Sequence, residues 1–157
     1  MITIISGNID SGKTRYLKKH YEQESEGDGF LSVKHITEGM CTGYDLYHLQ
    51  TGKSRAFIRL KDRLAEDWDE ICEIGRFSFS GRGMLFAKEI LKECKEGPVY
   101  IDEIGPVELW QKKGLYNEIR ELIEQDRDLF ITLRPTLMED FHNEFGLGNK
   151  TKIITLK

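Results

Sequence analysis

Eight residues near the start of the chain, Gly7-Asn8-Ile9-Asp10-Ser11-Gly12-Lys13-Thr14, constrain it more than any other stretch, because they satisfy the spacing G-x-x-x-x-G-K-[ST] at every fixed position. The two glycines let the backbone bend close to a polyphosphate, the loop amides point at its oxygens, and Lys13 directs a positive charge toward the β and γ phosphates. Thr14 offers a hydroxyl to a magnesium ion. The flanks agree with this reading. Met1 to Ser6 is an apolar, β-branched run that predicts a buried parallel strand. Thr14, Tyr16, Leu17, Lys18, His20 and Tyr21 have helical spacing, so a helix starts at the loop with its positive dipole end facing the anion. The expected nucleotide-binding residues are Gly7, Asn8, Ile9, Asp10, Ser11, Gly12, Lys13, Thr14 and Arg15. The competing reading is a glycine turn that binds nothing.

With 157 residues, 39% hydrophobic and 32% charged, the chain is long enough for one domain with its own core and too short for two, so residues 1–157 are read as a single nucleotide-binding domain. A net charge of -4 provides no general field for a polyanion, which argues against nucleic acid as a partner and leaves phosphate recognition to a local site. Cys41, Cys72 and Cys94 are odd in number and share no C-x-x-C spacing, so they read as reduced thiols. No basic leader precedes the first strand, and no apolar run approaches the roughly 18 residues that a membrane span needs. The expectation is a soluble, cytoplasmic monomer.

Along the chain, strands and helices alternate. Phe30 to Ile36 reads as a second strand. Gly43 to Leu49 and Ser54 to Leu60 read as an antiparallel hairpin at an edge or flap of the sheet, with Arg55 and Arg59 either solvated or touching phosphate. Ile71 to Phe79 predicts one strand, followed by a turn at Ser80 to Gly83. Leu85, Phe86, Ala87, Ile90, Leu91 and Cys94 then form the apolar stripe of a helix stopped by Gly97-Pro98. Gln111 to Arg127 predicts another helix, Leu129 to Leu133 a strand, and Lys152 to Leu156 a last strand. His142 is placed on the surface of a short helix. The fold class is α/β: a doubly wound, mostly parallel sheet with helices on both faces and an antiparallel hairpin. The separation of 89 residues from Lys13 to Asp102 leaves room for a further strand between the phosphate-loop strand and the carboxylate strand.

Val99 to Ile101 leads into Asp102-Glu103 and is closed by Gly105-Pro106. Successive strand residues face opposite sides, so two adjacent carboxylates can share a site only at the strand's carboxyl end, where ligands of such sheets bind. Asp102 is then expected to complete a magnesium shell with Thr14, and Glu103 to orient and deprotonate an attacking water. The alternative is an exposed acidic turn. Arg134 sits at the end of a strand, where it either neutralises charge on the γ-phosphate or pairs with an acidic neighbour. Arg76 is a second possible source of positive charge.

Gly7 to Thr14, Gly43-Tyr44-Asp45-Leu46 before a hairpin, Gly75-Arg76-Phe77 before a helix, and Val99 to Leu109 (VYIDEIGPVEL) together resemble the thermophilic-type nucleoside-triphosphatase family, in order and spacing over most of the chain. The segment Asp102-Glu103-Ile104-Gly105-Pro106-x-Glu108-Leu109 is its most specific part. The resemblance implies a P-loop NTPase fold with an additional strand and slow, magnesium-dependent hydrolysis of ATP, GTP or other triphosphates to the diphosphate. It carries over Lys13 and Thr14 as phosphate and magnesium contacts, Asp102 as the magnesium-shell carboxylate and Glu103 as the catalytic base. Glu108 matches the family without an assigned role. Two positions depart from the family's loop: Asp10 replaces its middle glycine and Arg15 its second threonine. Two other readings stay open at this stage, a nucleotide or small-molecule kinase and a nucleotide-dependent binding switch without turnover.

Overall fold

A computed structural model describes residues 1–157. In chain order the elements are β1 (Ile2–Ser6), α1 (Lys13–Glu24), β2 (Asp28–Thr37), β3 (Met40–His48), β4 (Ser54–Leu60), β5 (Glu70–Ile74), β6 (Phe77–Ser80) and α2 (Gly81–Glu93). There follow β7 (Val99–Ile101), α3 (Pro106–Leu109), α4 (Tyr116–Glu124), β8 (Leu129–Leu133), α5 (Met138–Phe145) and β9 (Thr151–Thr155). All nine strands form one sheet in the order β5-β6-β4-β3-β2-β7-β8-β1-β9.

Period-two alternation in the buried strands divides the core into two layers. Ile2 and Ile4 face one side and Ile5 the other; Val99 and Ile101 oppose Tyr100; Leu129, Ile131 and Leu133 oppose Phe130. Leu17 of α1 packs with Ile5, Leu31 and Tyr100, with Phe130 stacked on Tyr100 at 5.1 Å. The larger layer on the other face is built by Met84, Ala87, Ile90 and Leu91 of α2, Ile119 and Leu122 of α4, and Phe141 of α5. Each fully buried aliphatic side chain here contributes about 2 kcal/mol by removal from water. No helix is long and apolar enough to cross a membrane.

The expected helices on both faces are present, but the sheet is mixed rather than mostly parallel. β2, β7, β8, β1 and β9 run parallel, whereas β2-β3, β3-β4, β4-β6 and β5-β6 pair antiparallel. A doubly wound description therefore does not extend to the whole sheet. The β3-β4 hairpin occurs as expected, yet β4 is not an edge: β6 pairs with its free side, and β5 is the outer strand. The single strand expected over Ile71 to Phe79 is two strands, split by a tight turn at Gly75-Arg76. Gly81 to Gly83, expected as a turn, form the first turn of α2, where the Ser80 Oγ accepts the Gly83 N–H at 3.2 Å as an N-cap. The helix expected from Gln111 starts later, at Tyr116, and a short helix with proline at its start precedes it. His142 is half-buried rather than at the surface, bridging the Met138 carbonyl at 2.8 Å and the Thr151 hydroxyl at 2.7 Å.

One strand does lie between the loop strand β1 and the carboxylate strand β7, but it is β8, which follows both in sequence. The long interval before Asp102 goes instead to the antiparallel half and α2. The carboxyl ends of β1, β7 and β8 thereby come side by side, and the candidate site residues cluster there.

Candidate active site

The turn between β1 and α1 is shaped by its two fixed glycines. Gly12 holds φ +93° as the N-cap of α1, a left-handed conformation that a side chain would strain. A Cβ on Gly7 would lie 2.2 Å from the Ser11 Oγ, so only glycine allows that close approach. The Lys13 ammonium donates to the carbonyls of Gly7 at 2.7 Å and Asn8 at 2.9 Å, which pins it across the loop. Desolvation lowers the Lys13 pKa, opposed first by the nearby Glu103 carboxylate. Asp10, at φ +65°, takes a conformation that suits the family's glycine, and its carboxylate pairs with the ammonium of Lys34 on β2. Its negative charge is thus matched by a lysine rather than left facing a phosphate.

Asp102 follows β7 directly and is only 3% exposed. Its Oδ2 accepts the Thr14 hydroxyl at 2.7 Å and the Ser32 N–H at 2.9 Å, while its Oδ1 accepts the Thr132 hydroxyl at 2.6 Å. Burial raises its pKa to about 6, against the lowering effect of those three hydrogen bonds. Glu103 has φ +65°, an uncommon conformation for a non-glycine residue, and its N–H is held by the Thr132 Oγ at 2.6 Å. Its carboxylate is half-exposed and accepts from Arg134 at 3.2 Å. The acidic-turn alternative fails on Asp102, which is buried against the loop helix.

These groups line a cavity of about 820 Å³, within the usual range for a small-molecule site. Ile9, Asp10, Gly12, Lys13, Thr14 and Arg15 line it from the loop, Asp102, Glu103 and Arg134 from the strand ends. Gly7, Asn8 and Ser11 shape the loop behind them. The other arginines do not converge. Arg59 is tied to Asp45 at 2.7 Å and to the Tyr44 carbonyl at 3.2 Å, Arg55 lies over the Phe86 ring at 5.3 Å, and Arg76, on the β5-β6 turn, does not line the cavity.

Several contributors were not anticipated: Thr132, the Ser32 amide, Lys18, Lys34, Tyr44 and Tyr47. Thr132 had a visible signal, being the one polar residue of the run Leu-Phe-Ile-Thr-Leu and sitting next to its carboxyl end. It grips both carboxylate residues at once, donating to Asp102 and accepting from the Glu103 amide. Thr132→Val keeps the shape and removes both contacts. We expect turnover to fall roughly 10- to 100-fold with KM little changed, and stability to drop about 1–3 kcal/mol. Steady-state hydrolysis and urea unfolding check both effects.

The donors at the loop, a hydroxyl and a carboxylate, are hard oxygens that suit a divalent cation. A hydroxyl and one buried carboxylate converge at the loop, and no group of three or more acidic, histidine or cysteine side chains is gathered anywhere that could replace them. Magnesium takes few protein ligands and completes its octahedron with phosphate oxygens and water.

Comparison with curated proteins gives no match. Among solved structures, the chain resembles a human cancer-related nucleoside triphosphatase at TM-score 0.72 and 21% identity, covering 99% of this chain and 88% of that one. It resembles THEP1 from the hyperthermophile Aquifex aeolicus at TM-score 0.75 and 20% identity, covering 100% and 90%. At such identities the likeness establishes a shared fold. The family described as NTPase matches residues 2–157, and with nearly the whole chain matched this protein belongs to that family of nucleoside triphosphatases.

Proposed function

We propose that the protein hydrolyses ATP, GTP and related nucleoside triphosphates to the diphosphate and phosphate in a magnesium-dependent reaction. The observation that carries this reading is the contact of Thr14 with Asp102 at 2.7 Å, which puts the loop lysine and the Glu103-Arg134 pair around one cavity. The loop amides and Lys13 bind and orient the triphosphate. Thr14 and Asp102 would hold magnesium, which when bound neutralises charge on the β and γ oxygens. Glu103 accepts a proton from the attacking water as its oxygen bonds to the γ-phosphorus, and the bond to the bridging oxygen breaks onto the diphosphate. Arg134, freed from Glu103 by the substrate's charge, stabilises the negative charge spread over the transferring group.

A phosphate-release panel over ATP, GTP, CTP and UTP, with and without magnesium, tests it. The groups invoked touch the triphosphate rather than the base, so turnover is expected with both ATP and GTP and is lost when EDTA removes the metal. Release that is indifferent to metal, or none with any triphosphate, overturns the reading.

A further inference from the structure

A second cavity, of about 180 Å³, opens beneath the antiparallel half of the sheet. Its walls are apolar and rich in aromatic side chains: Phe30, Phe57, Phe77 and Phe79 with Met84 and Ala87. Phe57 and Phe79 meet edge to face at 5.4 Å. Phe57, Phe77 and Phe79 are each only half-buried. Ser32, Tyr44, Asp102, Glu103 and Arg134 line this cavity and the triphosphate cavity alike. The apolar chamber therefore ends on the proposed base. Protein interiors are close-packed, and an apolar cavity of about 150 Å³ is known to stay dry and to bind benzene. The size and lining fit one aromatic ring with a short substituent. Polar groups meet that substituent at the Glu103 end, while the Glu108 carboxylate that also lines the chamber is taken up by the Gly105 and Leu115 amides.

We propose that this cavity is an acceptor pocket for a small aromatic alcohol, whose hydroxyl meets Glu103 and receives the γ-phosphoryl group in place of water. The proposal rests on the reading of Glu103 as the base. In the transfer, the alcohol oxygen forms the new bond to the γ-phosphorus and the bond from that phosphorus to the bridging oxygen breaks. The hydroxyl proton passes to the Glu103 carboxylate, and the electron pair leaves on the diphosphate. Tyr44 closes the wall beside the acceptor. Burial first and the Glu103 charge second push its pKa up to about 12, so its phenol remains a neutral hydrogen-bond donor there.

Benzyl alcohol, 2-phenylethanol and phenol are the probes, with ATP and magnesium, and ³¹P NMR separates a phosphate monoester from free phosphate. Binding is read separately in the nucleotide-free protein from the methyl resonances of Met84 and Ala87. The expected result is a concentration-dependent shift of both methyls and a monoester product. Ala87→Leu, which fills the chamber from α2, should suppress the monoester roughly ten-fold or more while the water reaction changes less than about two-fold. Ala87→Val serves as the milder filling variant if the leucine variant does not fold. Methyls that do not move with any probe overturn the pocket, whatever the hydrolysis rate. Methyls that move while only free phosphate forms overturn the acceptor role. Loss of water hydrolysis alone, with monoester still formed, would instead overturn the hydrolase reading and support this one.

Discussion

Glu103→Gln should abolish phosphate release while nucleotide binding stays intact. The amide is nearly isosteric and can still accept from Arg134, which now lies 3.2 Å from the carboxylate, so the cavity keeps its shape. What disappears is the proposed proton acceptor. Positioned acid-base groups contribute about 10² to 10⁴-fold to rate, and the drop in kcat is expected in that range. Removing a negative charge beside the triphosphate should leave the nucleotide Kd unchanged or slightly tighter, as titration of a fluorescent analogue would show. Glu103→Gly is an informative companion, because φ +65° suits glycine better than glutamate. It should lose the same activity and gain up to about 1 kcal/mol of stability. Turnover equal to wild type in either variant would remove Glu103 from the mechanism.

The loop, its strand and its helix were legible in the sequence because they are local. Eight consecutive residues specify the turn, and their neighbours show period two on one side and helical period on the other. Asp102 and Glu103 were legible for a different reason: adjacent carboxylates closing an apolar strand have few places to go in an α/β sheet except the ligand-binding edge. The order of the strands was not legible. β8 reaches its place between β1 and β7 through register with Ile2 to Ser6 on one side and Val99 to Ile101 on the other, a long-range pairing without local imprint. The break between β5 and β6 was missed although Gly75-Arg76 interrupts the apolar residues there, because a two-residue turn leaves the alternation on either side nearly continuous.

Glu108 shows the same limit within the site. Its side chain is 7% exposed, with Oε1 accepting the Gly105 N–H at 3.2 Å and Oε2 the Leu115 N–H at 3.1 Å. It clamps the backbone that leads away from Glu103. Burial raises its pKa, partly offset by those two amides. A carboxylate whose partners are backbone groups cannot be distinguished, by residue type alone, from one that awaits substrate. Thr132 was missed on similar grounds, since its two partners arrive from a different strand.

Asp102→Asn should separate function from stability. In the folded protein the Asp102 carboxyl is raised from 3.8 to about 6, mainly by burial, so the native state holds its proton more tightly than the unfolded chain does. Between these two values the unfolded state deprotonates first, and the stability of the nucleotide- and metal-free protein falls as pH rises. Above about pH 6 both states are ionised and the loss is complete. Two pKa units correspond to roughly 3 kcal/mol, and at 3% exposure solvent screens little of it. Glu108, also raised, slopes the same way, whereas Asp69 and Glu144, both lowered, slope the opposite way. The difference between wild type and variant cancels all three. That difference should therefore be near zero or unfavourable to the asparagine variant at pH 4. It should favour the variant by about 1–2 kcal/mol at pH 7.5, once a net hydrogen-bond loss of about 1 kcal/mol is subtracted. Urea unfolding in EDTA at the two pH values measures it, and an unchanged difference would show that Asp102 ionises without strain. Hydrolysis with magnesium at pH 7.5 should fall by about 10²-fold or more, because a neutral amide offers the metal far less than a carboxylate does.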